Sequence, residues 1–281
     1  MSSPQENAIK LLSDLKIDLA NPVDPFQIAE KLLEKPVVFQ DVDGFDGMLL
    51  TVDDQSVIII NKLIREEGRA RFTCAHEIGH FVLTSHKREG VRCTEDDIAK
   101  LDKKKRLEYE ANEFASELLI PSKTFREIID GREPSKELIE ELSGRFGTTL
   151  TATAWKYVTL CELSCALVIS KDSKKVWCAK SEYFSPYIEL DQSVWDGTQA
   201  YKFFRGKSVP GEFREVYAEL WVGGKGIGDD TKILELSIPQ PFYNQVLTIL
   251  WFEQDLEDLE YESDENYDDE FGGYLKKKWN D

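Results

Sequence analysis

Apolar residues recur three and four apart in some stretches and every other residue in others, and the switches between these rhythms divide the chain. In "DPFQIAEKLL" the spacing is helical. Asp24 and Pro25 supply the start, because a carboxylate caps free N–H groups and a first-turn proline gives up no hydrogen bond. "PVVFQ", "GMLLTV" and "QSVIIIN" are β-branched runs divided by Asp and Gly turns, which predicts three short strands, the last two as a hairpin. Uninterrupted helical spacing returns in "RARFTCAHEIGHFVL", with Phe72, Ala75, Gly79, Val82 and Leu83 along one side. A second helix is predicted over about 106–119, ending before Pro121. Residues 122–158 read as three short helices broken at Gly131, Pro134 and Gly147. From Cys161 the pattern turns to strands: "SCALVIS" and "KVWCAKS" form a hairpin about a Lys-Asp-Ser-Lys turn, followed by the strand "ILELSIP" and the apolar segment "YNQVLTILWF". No internal repeat is visible. The fold class is therefore α+β, in four parts: 1–121 mixed, 122–160 helical, 161–254 strand-rich, and a tail over 255–281.

Composition changes this picture mainly by exclusion. With 41% hydrophobic and 31% charged residues, the 281-residue chain is ordinary for a soluble globular protein and excludes fibrous or wholly disordered classes. "SVIIIN" and "VLTILWF" are far shorter than the roughly 20 residues that span a bilayer, so no membrane association is expected. The N-terminus lacks a basic segment followed by an apolar one, and the five cysteines form no CxxC pair; a cytoplasmic protein with reduced thiols is expected. Net charge is -18, unevenly spread. Residues 1–160 carry 22 Lys+Arg against 29 Asp+Glu and residues 161–254 carry 10 against 13, whereas the last 27 residues carry 3 against 11. That tail reads as a flexible, solvated segment. Because Lys and Arg neutralise phosphates in non-specific DNA binding, direct DNA binding is disfavoured and a basic protein is the better partner.

The chemistry lies in His76-Glu77-Ile78-Gly79-His80. Histidines at i and i+4 share one helix face and can share a metal ion, while Glu77, one residue after the first ligand, can reach a metal-bound water as general base. The competing reading is a core helix with two satisfied histidines, which leaves Glu77 without a purpose. A catalytic zinc keeps three protein ligands and one open position, so a third ligand is needed. His86 stands where HExxHxxGxxH places its last histidine, but Leu83 occupies the glycine position and favours continuing the helix; His86 is read as a surface residue. The helix over about 106–119 offers better. Leu107, Ala111, Phe114, Ala115, Leu118 and Leu119 form its apolar face, and Glu108 falls roughly 60° from the centre of that face, whereas Glu110, Glu113 and Glu117 fall on the solvent stripe. A carboxylate aimed at a core must be paired, protonated or bound to a metal. Asn112, one turn on, can support a ligand by hydrogen bonding, and Glu110 is the fallback ligand.

"RARFTCAHEIGHFVL" followed by "EYEANEFASELLIP" resembles the metallopeptidase family named for ImmA and IrrE, in which the HExxH helix precedes a segment E-x-x-A-N-x-F-A-x-x-L-L-x-P. "VDPFQIAEKL" and "TTLTATAWKYVTL" extend the likeness over about residues 5–160, and it continues more weakly to "SIPQPFYNQVLTILWF". The resemblance implies a zincin-like metallopeptidase domain (1–121), a helix-turn-helix-like unit (122–160) and a C-terminal α/β GAF-like domain (161–254) that could bind a small molecule. It assigns His76, His80 and Glu108 to Zn2+ and Glu77 to catalysis, in agreement with the helical-face argument.

Within the family-like "TATAWKYV", Tyr157 is a candidate to stabilise the oxyanion of peptide hydrolysis. The strand "QSVIIIN" offers an edge to which an extended substrate could add. The resemblance further implies that the substrate is a basic helix-turn-helix repressor of the XRE type, cut so that its genes are released. The rival class is a DNA-binding transcriptional regulator with a structural zinc site, suggested by the helix-turn-helix rhythm of "ELIEELSGRFGTTLTATAWKY". Over 139–158, Arg145 and Lys156 are its only bases, a meagre phosphate footprint. A zinc-stabilised adaptor without activity is a third reading, opposed by the intact Glu77.

Overall fold

The structure, a computed structural model, describes residues 2–42, 44–53, 55–83, 98–224 and 227–253. His86 and the acidic tail lie outside these residues. The described residues fall into two compact units, 2–125 with Ser143–Thr149, and Arg126–Leu142 with 150–253.

The first unit opens with α1 (Pro4–Asp14) and α2 (Pro25–Leu33). As its sequence predicts, α2 is started by Asp24, whose Oδ1 accepts from Phe26 N at 2.9 Å and Gln27 N at 3.2 Å. Strands β1 (Val38–Gln40), β2 (Gly47–Val52) and β3 (Gln55–Asn61) follow, and β2 and β3 form the expected antiparallel hairpin. The sheet order is β1-β3-β2, because β1 pairs parallel with β3 on the side away from β2. This overturns the expectation that "QSVIIIN" offers an edge: β3 is central, with Ile59 opposite both Val38 and Met48, and the edges are β1 and β2.

Helix α3 (Glu67–Val82) packs on this sheet and on α2. Cys74, Ala75 and Ile78 are fully enclosed, as are Ile58 and Ile60 on β3. Arg71 is a buried anchor for the helix, its Nη2 donating to Val23 O at 2.5 Å. Leu83, expected to continue the helix, instead ends it: its backbone is extended (φ -69°, ψ 121°) while its N–H still donates to Gly79 O. Helix α4 (Ile98–Leu119) packs along α3 and α1, burying Ala111, Phe114, Ala115, Leu118 and Leu119. The three predicted helices follow as α5 (Ser122–Ile129), α6 (Lys136–Phe146) and α7 (Leu150–Leu160).

The second unit is built on one antiparallel sheet of order β5-β4-β8-β7-β6: β4 (Ser164–Lys171), β5 (Lys174–Lys180), β6 (Arg214–Tyr217), β7 (Lys232–Gln240) and β8 (Gln245–Phe252). Helix α7 packs on β4 and β5, and α8 (Gln199–Phe204) packs on β7. Central strand β8 is buried at all eight positions, which explains why "QVLTILWF" is mostly apolar on both faces and shows no polar alternation. One sheet face, with Val168, Val246 and Leu250, is covered by Phe184, Ile188 and Trp221. No helix among the described residues is long and apolar enough to cross a membrane.

Candidate metal centre

Helices α3 and α4 meet where Gly79 faces Ala111. A Cβ at Gly79 would lie 3.2 Å from Ala111 Cα and 3.1 Å from Phe114 Cδ1, so the missing side chain sets how close the two backbones come. One position beyond this contact on α3 is His80, one turn before that His76, and one turn before Ala111 on α4 is Glu108. The Nε2 atoms of His76 and His80 are 3.0 Å apart, and Glu108 Oε2 is 3.3 Å from His76 Nε2 and 3.8 Å from His80 Nε2. Donors about 2.0–2.2 Å from a tetrahedral zinc lie about 3.3–3.6 Å from one another, a value that the three observed edges bracket. Two imidazoles and one carboxylate are also the donor set of catalytic zinc sites that keep a fourth position open. Among the described residues, His76, His80 and Glu108 form the group able to hold a metal ion.

Asn112, one turn after Glu108, is buried and its Oδ1 lies 2.8 Å from His76 Nδ1. A carbonyl oxygen there accepts a hydrogen bond from Nδ1–H, which holds the proton on Nδ1 and leaves Nε2 with a lone pair directed at the other two ligands. Burial disfavours a charged His76, but the hydrogen bond to Glu108, the charges of Glu77 and Glu108 and the Asn112 bond outweigh it and raise its pKa above the ordinary value. The negative potential that favours a proton at this position equally favours a divalent cation. Glu77 points from the same helix, is only 8% exposed, and makes no hydrogen bond or ion pair among the described residues. Its charge acts on His76 and Cys74.

The remaining candidates fall elsewhere. Glu110, the fallback ligand, is 3.4 Å from Arg106 one turn earlier and is not part of the group. Tyr157 is corrected: it is fully buried, its hydroxyl donates to Arg132 O at 2.8 Å, and burial raises its pKa. A phenol enclosed in the core with its proton committed to a backbone carbonyl is a packing residue, not a group held ready for an oxyanion. Glu117, expected on the solvent stripe, is 4% exposed and accepts from Ser122 N at 2.8 Å and from Ser122 Oγ, closing the start of α5. A carboxylate five residues before a serine that opens a helix was the signal in the sequence.

Residues 33–156 match the family model described as the IrrE N-terminal-like domain, Peptidase_M78. No curated protein matches the chain. Among solved structures, a Mycobacterium tuberculosis transcriptional regulator is similar in fold, with a TM-score of 0.56 and 14% identity over 92% of this chain and 91% of that one.

Proposed function

We propose, from the match of residues 33–156 to the IrrE N-terminal-like family model, that this chain is a zinc-dependent endopeptidase acting on a helix-turn-helix repressor of the XRE type. The observation that carries the enzymatic reading is the convergence of His76, His80 and Glu108 beside an uncommitted Glu77. Zinc, when held there, lowers the pKa of a coordinated water toward neutrality and polarises the scissile carbonyl. Glu77 takes the proton of the attacking water and passes it to the departing amine. Asn112 keeps His76 in the ligating tautomer.

Edge strand β2 packs against α3 and is the edge that lies beside the metal helix. Gly47 at its start approaches Thr73, one turn before His76 and Glu77. An extended substrate adding antiparallel to β2 would bring its backbone past the metal, with Leu50 and Val52, 41% and 57% exposed, offering apolar contact. The net charge of -18 favours a basic partner such as a DNA-binding repressor.

The alternative, a DNA-binding regulator, draws on the structural neighbour, itself described as a transcriptional regulator. Against it, α7, the second helix of the helix-turn-helix rhythm, has no exposed residue, and Thr151 through Val158 are buried save for Ala152. A recognition helix needs one free face. Residues 161–254 are read as a GAF-like sensor domain, supported by a five-stranded antiparallel sheet whose central strand β8 is buried on both faces.

Co-expression with a neighbouring XRE-type repressor tests the proposal. The intact repressor band is expected to be lost with wild type and retained with Glu77→Gln; retention with both overturns the substrate assignment. Gel shifts with the purified chain, unaffected by Glu77→Gln, would favour the alternative.

A further inference from the structure

In the second unit, residues 181–198 link β5 to α8 and form a strap over the sheet face that carries Val168, Val246 and Leu250. Phe184, Ile188 and Val194 anchor the strap in the core beneath it. Its backbone also pairs along β5: Asp191 N donates to Lys175 O at 2.7 Å, Lys175 N to Gln192 O at 2.9 Å and Val194 N to Ser173 O at 2.8 Å. Tyr187 exchanges both backbone hydrogen bonds with Gly223, each at 2.9 Å.

With the inward positions fixed, Tyr183, Tyr187 and Trp195 are left outside, 51%, 47% and 58% exposed. The other tryptophans among the described residues are buried. The strap also carries Glu182, Glu189, Asp191 and Asp196, all exposed, and the chain has no Lys or Arg from Ser181 through Tyr201. Glu189 Oε1 accepts from Gln192 Nε2 and Asp196 Oδ1 from Gly197 N, each at 2.9 Å, but none of the four carboxylates is ion-paired among the described residues. Elsewhere in the unit, tyrosines are capped by cations of the chain itself: Arg205 lies over the Tyr201 ring at 4.9 Å from its centre, and Lys232 over Tyr217. The three strap rings have no ring or cation contact among the described residues.

We propose that the strap is a docking surface for an arginine-rich segment of a protein partner. A guanidinium is planar and always charged, so it stacks on an aromatic face while pairing with a neighbouring carboxylate. Four carboxylates without a base repel nucleic acid and anionic lipid. A second copy of the chain would bring the same net charge of -18. The strap is already ordered by its anchors, so docking costs little loop entropy, and Trp and Tyr are the residue types that dominate binding energy at interfaces. The inference deepens the proposed function by giving the basic repressor a place to dock on the second unit, and the partner's identity rests on that reading.

The test titrates the full chain at low salt with fluorescein-labelled nonaarginine and nonalysine, read by anisotropy, and with unlabelled peptide during acrylamide quenching of tryptophan fluorescence. Wild type is expected to bind nonaarginine more tightly than nonalysine and to lose quenching on binding, as Trp195 is shielded. Trp195→Ala should weaken nonaarginine about two- to fivefold, and the double variant Asp191→Lys, Asp196→Lys at least about tenfold. Glu127→Lys with Asp130→Lys, exposed acids on and just past α5, makes the same change in net charge and should weaken binding far less. Equal wild-type affinity for the two peptides, unchanged binding in Trp195→Ala, or equal loss in the two double variants overturns the proposal. So does a concentration-dependent dimer that Trp195→Ala abolishes, which would assign the strap to a second copy. The wild-type comparison decides even if a variant does not fold. Peptide binding does not depend on cleavage, so a repressor left intact by wild type does not bear on it, and failure here leaves the metal centre standing.

Discussion

Glu77 and Asn112 differ in what they do for the same centre, and two substitutions separate them. Glu77→Gln keeps size and position but cannot take a proton. Peptide cleavage should fall roughly 100- to 10,000-fold while bound zinc, measured by elemental analysis, stays at the wild-type level. Asn112→Ala removes the carbonyl that fixes the His76 proton; zinc affinity should fall about 10- to 100-fold in a chelator competition, and Asn112→Asp, which keeps an acceptor, should recover most of it. Away from the centre, Glu235 on β7 is fully buried, and burial raises its pKa even though Gln199, Ala200 and Ser237 donate toward it. The folded chain therefore holds this proton to higher pH than the unfolded chain does. The stability contribution is complete below the ordinary glutamate pKa and is lost as pH rises through the raised folded value. Denaturation midpoints followed across that window should decline in wild type and flatten in Glu235→Gln; parallel curves would refute the assignment.

At the scale of elements, the contact of Gly79 with Ala111 decides whether Glu108 can reach the histidines. Gly79→Ala gains helix propensity worth about 1 kcal/mol but forces a methyl to 3.1–3.3 Å from Phe114 and Ala111, an overpacking that costs about 1–3 kcal/mol. The cost wins, so the variant should unfold at lower denaturant and bind zinc more weakly. Gly144 on α6 is the control: a Cβ there meets nothing within 4 Å, so Gly144→Ala should raise stability by about 0.4–1 kcal/mol. Much at this scale was legible, since α2 carries its cap in Asp24 and the hairpins carry their turns. The N-terminal part of α4, "IAKLDKKK", was not, because a charged turn without an apolar stripe gives periodicity nothing to detect. The six-residue α8 and four-residue β6 are too short to show a period. The central place of β3 was hidden as well, because alternation specifies a strand's faces and not its neighbours.

Across the whole molecule, the convergence of His76, His80 and Glu108 was readable because it depends on two local features, the i to i+4 spacing on α3 and the tilt of Glu108 toward the apolar face of α4. Tyr157 was misread because a helix buried on every side gives no sequence sign of which way a phenol points, and its hydroxyl went to a backbone carbonyl. Net charge acts only at this scale. If the acidic surface steers a basic repressor, the association rate should fall as sodium chloride is raised across the range where the Debye length shrinks from about 30 Å to 8 Å, and a rate independent of salt would remove charge from the explanation. The decisive quantity is the zinc content of the purified full chain after dialysis against a weak chelator. One zinc per chain should remain in wild type and in Glu77→Gln, and be lost in His76→Ala, His80→Ala and Glu108→Ala, each still folded by circular dichroism. Full zinc retention in a folded Glu108→Ala would contradict the assigned centre.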